Sequence, residues 1–132
     1  MDINMLVNQA TEARKQAYTP YSNFQVGAAL ITKNQRLYLG CNVENASYGL
    51  SNCAERTAIF KAVSEGESEI EAIAVVGDTD GPISPCGACR QVLAEFATEN
   101  TRVFLANLKG DVVETSIEEL LPGYFSSKDL LK

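Results

Sequence analysis

The sequence contains no histidine and no tryptophan. The missing histidine excludes Ser-His-Asp and Cys-His catalysis, and with them any zinc site that needs imidazole. A general base must then be a carboxylate, Lys, Tyr or Cys, and a metal must be held by thiolates and carboxylates. Basic clusters are also missing: Lys and Arg total 11 against 17 Asp and Glu, a formal charge of −6. Long polyanions are bound through many Lys and Arg contacts to phosphates, so no nucleic-acid partner is expected. No apolar run approaches the ~18 residues that span a bilayer. The opening Met-Asp-Ile-Asn-Met lacks the basic and apolar regions of a signal peptide. These absences lead to the expectation of a cytoplasmic protein with no membrane partner.

What is present is an ordinary globular balance, 45% hydrophobic and 21% charged over 132 residues. One domain spanning 1–132 is expected, because two halves would each fall near the size where cores become marginal. Four cysteines stand at positions 41, 53, 86 and 89. In a reducing compartment they point to metal binding or catalysis rather than to two disulfides.

Apolar spacing at Ile3, Leu6, Ala10, Ala13 and Ala17 predicts a helix over 2–18, ended by the turn cluster around Pro20. Residues 24–32 and 36–43 read as a hairpin turning at Lys33-Asn34-Gln35. Gly27 and Gly40 inside it mark bulges or close backbone approach. Residues 45–52 read as a loop and 53–63 as a helix ending near Gly66. A buried strand is expected over 70–77, a Pro- and Gly-bearing loop over 78–85 and a helix over 86–96. Short strands over 102–106 and 111–115 and a helical turn over 118–121 complete the chain. Strand-helix-strand alternation after a hairpin implies a mixed sheet of about five strands with helices on its faces, a three-layer α/β/α sandwich.

Cysteine occurs at two loop-to-helix junctions, Ser51-Asn-Cys53-Ala-Glu55-Arg56 and Pro85-Cys86-Gly-Ala-Cys89-Arg90. Unpaired N–H groups and the dipole at a helix start favour thiolate over thiol. If the two starts converge, three thiolates meet. Three protein ligands with an open fourth position is the arrangement of a catalytic zinc, whereas a structural zinc closes with four. Cys41 is a candidate fourth ligand, but its strand position makes a buried free thiol the plainer reading. Glu55, two residues after Cys53, is placed to take a proton from water without ligating the metal. Zinc with three thiolates carries net charge −1. Something cationic should donate to the sulfurs, and Arg56 and Arg90 are the candidates.

Cys53-Ala-Glu55 followed by Pro85-Cys86-x-x-Cys89 resembles the zinc nucleoside deaminase signature, with cysteine in place of the leading histidine. The chain is similar over nearly its whole length to the short, homotetrameric cytidine deaminases. The likeness includes Pro20-Tyr-Ser-Asn-Phe24, Asn42-Val-Glu-Asn45, Tyr48-Gly-Leu-Ser-Asn52 and Leu121-Pro-Gly-Tyr-Phe125. The resemblance implies one zinc per subunit and hydrolysis of cytidine or deoxycytidine at C4 to uridine or deoxyuridine and ammonia. It implies that Glu55 moves the protons, that Asn42 and Glu44 bind the ribose hydroxyls, and that Phe24 packs on the pyrimidine. The backbone of Val43 and Ala54 would line the pocket. Phe125 and Tyr48 would come from neighbouring subunits.

Three other readings stand beside this one. A zinc-ribbon-like module normally carries two Cys-x-x-Cys pairs, and only one is present. A thiol redox protein using Cys86 and Cys89 leaves Cys53 and Glu55 unexplained. A blasticidin-type deaminase shares the cysteine and glutamate pattern, but the stretch 42–45 and the terminal Tyr-Phe favour a free nucleoside.

Overall fold

Asp2 opens the first helix, α1 (Ile3–Arg14), its carboxylate accepting from the Asn4 amide at 2.9 Å. This computed structural model describes residues 2–131; Met1 and Lys132, the two ends of the span 1–132, lie outside the described residues. The helix is shorter than the expected 2–18. Beyond Arg14 the amides of Lys15, Gln16 and Ala17 turn back three residues instead of four. Tyr18 is then drawn into a bridge with Val43.

The hairpin forms as β1 (Val26–Thr32) and β2 (Leu37–Cys41), each trimmed from the expected span. β1 begins at Val26 because the Asn42 side chain takes the pairing positions before it. Its Oδ1 accepts from the Val26 amide at 2.9 Å and its Nδ2 donates to the Phe24 carbonyl at 2.8 Å. Asn23, with φ of 56°, bends the chain just upstream. After the loop come α2 (Ala54–Ser64), β3 (Ile70–Gly77), α3 (Gly87–Phe96), β4 (Ala97–Asn107), β5 (Val112–Thr115) and a single turn α4 (Ile117–Leu120). A further short helical turn lies at Tyr48–Leu50 inside the expected loop. β4 starts five residues before the expected Arg102. Ala97 pairs with Ile70, and the Thr101 hydroxyl donates to the Ile70 carbonyl at 2.5 Å across a register shift.

The sheet order is β2-β1-β3-β4-β5, with β3 and β4 parallel and the other pairs antiparallel. Side chains alternate between two buried faces. Ala29, Ile31, Ala72, Ala74, Val76, Phe104 and Ala106 meet Leu6 and Ala10 of α1. Their neighbours Ala28, Leu30, Ile73, Val75, Val103 and Leu105 meet Ala58 and Ile59 of α2 and Leu93 of α3. Burial on both faces explains why the central strands read as unbroken apolar runs while β2 alternates. The arrangement is the three-layer α/β/α sandwich with a mixed five-stranded sheet.

Gly27 and Gly40 are points of close backbone approach rather than bulges. A Cβ on Gly27 would lie 1.9 Å from the Ala10 carbonyl oxygen. On Gly40 it would lie 2.5 Å from the Ala54 oxygen and 2.6 Å from the Ala58 nitrogen, so this glycine seats the first turns of α2 directly on β2. Neither contact partner is a flexible side-chain tip, so the helix itself must move. Gly40→Ala is expected to destabilise the fold by ~2 kcal/mol or more through overpacking. Chemical denaturation of the two proteins measures this, and equal midpoints would show that α2 has room to shift.

Candidate active site

Both cysteine junctions become helix N-termini. Cys53 is the residue that caps α2, and Cys86 caps α3 with its Sγ accepting from the Cys89 amide at 3.4 Å. Outside the carboxyl ends of the parallel strands is where open α/β sheets build sites, and the loop after β3 leads there into α3. The expected convergence occurs. Cys53, Cys86 and Cys89 place their sulfurs within 4.8 Å of one another. Cys53 Sγ lies 3.6 Å from Cys86 Sγ, which lies 3.1 Å from Cys89 Sγ. A tetrahedral zinc, with Zn–S near 2.3 Å, holds its sulfurs ~3.8 Å apart. The cluster is therefore close to the size a zinc ion requires, and its soft all-sulfur donor set suits that metal.

The cluster also carries its own charge logic. The Cys53 thiol is brought down to about 5, chiefly by a hydrogen bond from Cys89 and further by bonds from Arg56 and Cys86. Cys89 moves the other way, held protonated by that same bond to Cys53 and by its burial. The two shifts describe one arrangement of this pair, in which the negative charge rests on Cys53 and the buried Cys89 keeps its proton. Binding a dication would release that proton and draw the Cys89 sulfur into the anionic state as well.

Arg56 and Arg90 part company. Arg56 Nη2 donates to Cys53 Sγ at 3.4 Å, and its buried Nε has no hydrogen-bond partner among the described residues. Among the described residues Arg90 makes no hydrogen bond to sulfur, so it is not a compensating cation. It donates from Nε to the Pro85 carbonyl at 2.9 Å, from Nη1 to the Leu120 carbonyl at 2.5 Å and from Nη2 to Ser84 Oγ at 2.8 Å. It thus ties the approach to Cys86 and the end of α4 to the first turn of α3. Cys41 ends β2, half-buried rather than buried and outside the cluster, with its thiol raised by burial.

Glu55 lies in the first turn of α2 and is only 5% exposed. Burial holds its carboxyl above its ordinary value, and the charge on Cys53 adds to the rise. It lines a cleft of about 310 Å³ together with Cys53, Cys86, Ala54, Phe24 and Asn42. Thr79, Ile83, Ser84 and Val26 line it as well. Sequence reasoning passed over these last four. The signal available was position, since residues 78–85 join a strand end to the Cys86 helix.

Other expected residues do not line this cleft. Glu44 accepts from the amides of Tyr21 and Ser22 at 3.0 and 3.1 Å and from the Ser22 hydroxyl, bonds that hold its carboxyl below the ordinary value. Glu44 and Tyr48 line an adjoining recess with Tyr21, Ser22 and Ser51. Val43 exchanges backbone hydrogen bonds with Asn52 at 2.9 Å in both directions, which fixes residues 42–44 beside Cys53. Its side chain is exposed. Phe125 is exposed, its carbonyl accepting from Gln91 Nε2 at 2.8 Å.

A family model described as the cytidine and deoxycytidylate deaminase zinc-binding region matches residues 2–105. The chain belongs to the cytidine and deoxycytidylate deaminase family. Within that family it is 57% identical over 130 residues to a cytidine deaminase of Sporosarcina psychrophila, covering 98% of this chain and 96% of that one. The crystal structure of a cytidine deaminase from Burkholderia pseudomallei superposes with a TM-score of 0.92 at 55% identity, covering 95% of this chain and 100% of that one. A blasticidin-S deaminase of Bacillus cereus is more distant, 34% identical over 89% of this chain and 87% of that one. Members of this deaminase family bind zinc, and the three-sulfur cluster is the group that fits it here.

Changing Cys53, Cys86 or Cys89 to Ala should each abolish stoichiometric zinc, while Cys41→Ala should keep it. Metal analysis of the purified variants decides, and full zinc in any of the first three would remove that residue from the ligand set.

Proposed function

We propose that this chain is a zinc-dependent hydrolytic deaminase of cytidine and 2'-deoxycytidine, acting as one domain. The observation that carries the reading is the meeting of three cysteine sulfurs with a buried carboxylate on the floor of a nucleoside-sized cleft. Cys53, Cys86 and Cys89 would hold one zinc per subunit. When bound, that ion supplies the Lewis acidity that makes water a nucleophile near neutral pH.

The remaining chemistry belongs to the chain's own residues. Glu55, its carboxyl raised above the ordinary value by burial, accepts a proton from the attacking water and delivers protons to N3 of cytosine and to the departing ammonia. Water adds at C4, the C4–N bond breaks, and uridine and ammonia leave. Arg56 donates to the Cys53 sulfur and offsets the excess negative charge of an all-thiolate centre. Phe24 forms an apolar wall for the pyrimidine, with the backbone of Val43 and Ala54 beside it. Asn42 and Glu44 take the ribose hydroxyls. Both are held in advance by their own hydrogen bonds, so little ordering cost remains at binding.

Tyr48 and Phe125 are exposed at 77% and 59%. Aromatics left this open on one chain support a homotetramer in which each completes a neighbour's cleft. Among the described residues no helix is long and apolar enough to cross a membrane. Four unpaired cysteines fit a reducing cytoplasm, where the activity would serve pyrimidine salvage.

An ultraviolet assay on cytidine, deoxycytidine, adenosine and blasticidin S tests the reading. Turnover is expected on the first two; turnover on blasticidin S alone would move the assignment to that nucleoside. Glu55→Gln should keep its zinc and lose activity by ~10²-fold to ~10⁴-fold, the usual range for a proton-transfer group. Near-normal turnover would take Glu55 out of the mechanism. Arg56→Gln should fold normally and lower the rate, and unchanged kinetics with unchanged zinc would reduce Arg56 to a surface cation.

A further inference from the structure

Asn107 is polar, only 4% exposed and far from the sulfurs in sequence. It ends β4, opposite Gly77 at the end of β3. Its Oδ1 accepts from the amides of Lys109 and Asp111, both at 3.0 Å, which shapes the turn into β5. Those two bonds are what an Asx turn needs, and an aspartate could supply them equally well. The amide nitrogen does something else. Nδ2 donates to the Thr79 carbonyl at 3.0 Å, to the Asp80 carbonyl at 3.1 Å and to Asp111 Oδ2 at 2.8 Å. Two of these acceptors belong to the loop after β3, whose Thr79 and Ile83 form one wall of the cleft. Only an amide satisfies both ends at once, because a carboxylate would turn acceptor against acceptor.

We propose that Asn107 is a positioning residue for the reaction, pinning the first half of the 78–85 loop so that Thr79 stands at its place in the substrate wall. The inference rests on the reading of the cleft as the nucleoside site. The second half of the loop is anchored independently, by Arg90 on Ser84 and Pro85. Loss of the Asn107 amide therefore loosens the wall while leaving the cysteines and Glu55 in place. It should act on substrate binding more than on the chemical step. The exposed ion pair of Lys109 with Asp80, at 2.9 Å, adds little to this anchor.

The test separates the loop from the turn. In the double variant Asn107→Asp with Asp111→Asn, the carboxylate and the amide exchange places. The turn keeps its acceptor and its charge balance, but the Thr79 and Asp80 carbonyls lose their donor. This protein should fold and bind zinc as the wild type does. Its KM for cytidine should rise about tenfold, with kcat changed less, since small misplacements in a site cost up to ~10²-fold. Asp111→Asn alone should stay within about twofold of wild type, because an amide oxygen there still accepts from Asn107 Nδ2 and the bonds to Thr79 and Asp80 are kept. A wild-type KM in the double variant confines Asn107 to the hairpin and overturns the proposal.

Hydrogen exchange on the wild-type protein gives a second check that needs no variant to fold. The Thr79 amide, bonded to the Gly77 carbonyl at 3.1 Å, and the Asp111 amide, bonded to Asn107 Oδ1, should open together. Independent opening overturns the coupling. If wild-type enzyme leaves cytidine untouched, the functional reading fails, while the exchange measurement still decides whether Asn107 holds the loop.

Discussion

Three ionised sulfurs brought within a few ångströms repel one another, and the site depends on cancelling that repulsion. Two unit charges 4 Å apart cost about 4 kcal/mol at an effective dielectric of about 20. Three such pairs, about 12 kcal/mol, are of the size of the whole stability of a domain, roughly 5–15 kcal/mol. The chain meets this with positive charge and donors placed around the sulfurs, the Cys89 amide on Cys86 among them. Cys53 and Cys86 both stand at helix starts, where free N–H groups and the macrodipole favour negative charge. Arg56 adds a full cation at 3.4 Å from Cys53. Even without metal, the Cys89 proton is shared toward Cys53, so that of these two sulfurs Cys53 carries the charge. An imidazole ligand would lower the negative charge by one unit, and this chain has none.

Aiming two helices at one point makes the sheet part of the site. α2 can place Cys53 and Glu55 only if its first turns lie flat on β2, and Gly40 provides the contact that any side chain would prevent. α3 is placed by its connection from β3 and by Arg90, which binds the residues just before Cys86 and the end of α4 in one grip. Arg56 and Arg90 occupy equivalent positions after their motifs, and sequence treats them alike. Geometry assigns one to sulfur and the other to backbone carbonyls. The difference follows from the surroundings: the Leu120 carbonyl at the end of α4 lies beside Arg90, while Arg56 Nη2 meets the Cys53 sulfur.

Much of this was legible in the sequence, for local reasons. The period of apolar residues located the helices and the buried runs, and the Cys-x-Glu and Cys-x-x-Cys spacings located the floor of the cleft. The places that escaped are those where a side chain substitutes for backbone. β1 and β2 stop short because the Asn42 amide takes over the pairing of Phe24 and Val26. β4 starts early because the Thr101 hydroxyl bridges a register shift to Ile70. The 78–85 wall was invisible because nothing about Thr79, Ile83 or Ser84 as residue types marks a binding surface. Periodicity and motif spacing carry no information on hydrogen bonds between segments distant in sequence.

The two walls of the cleft are then built by the same physical means. Each is an irregular stretch lying just outside the sheet, where ladder hydrogen bonds have run out and backbone groups need partners. In each, a partly or fully buried asparagine supplies both a donor and an acceptor. Asn42 serves Phe24 and Val26, and Asn107 serves Thr79 and Asp80 on one side and Lys109 and Asp111 on the other. An amide is the only side chain that reproduces a peptide group's donor and acceptor together. Using it lets the chain leave regular structure without leaving polar groups unsatisfied, and so lets short loops hold a fixed shape around a small polar substrate. The floor needs charge and the walls need fixed position. The sequence meets the first requirement with cysteine and arginine and the second with asparagine.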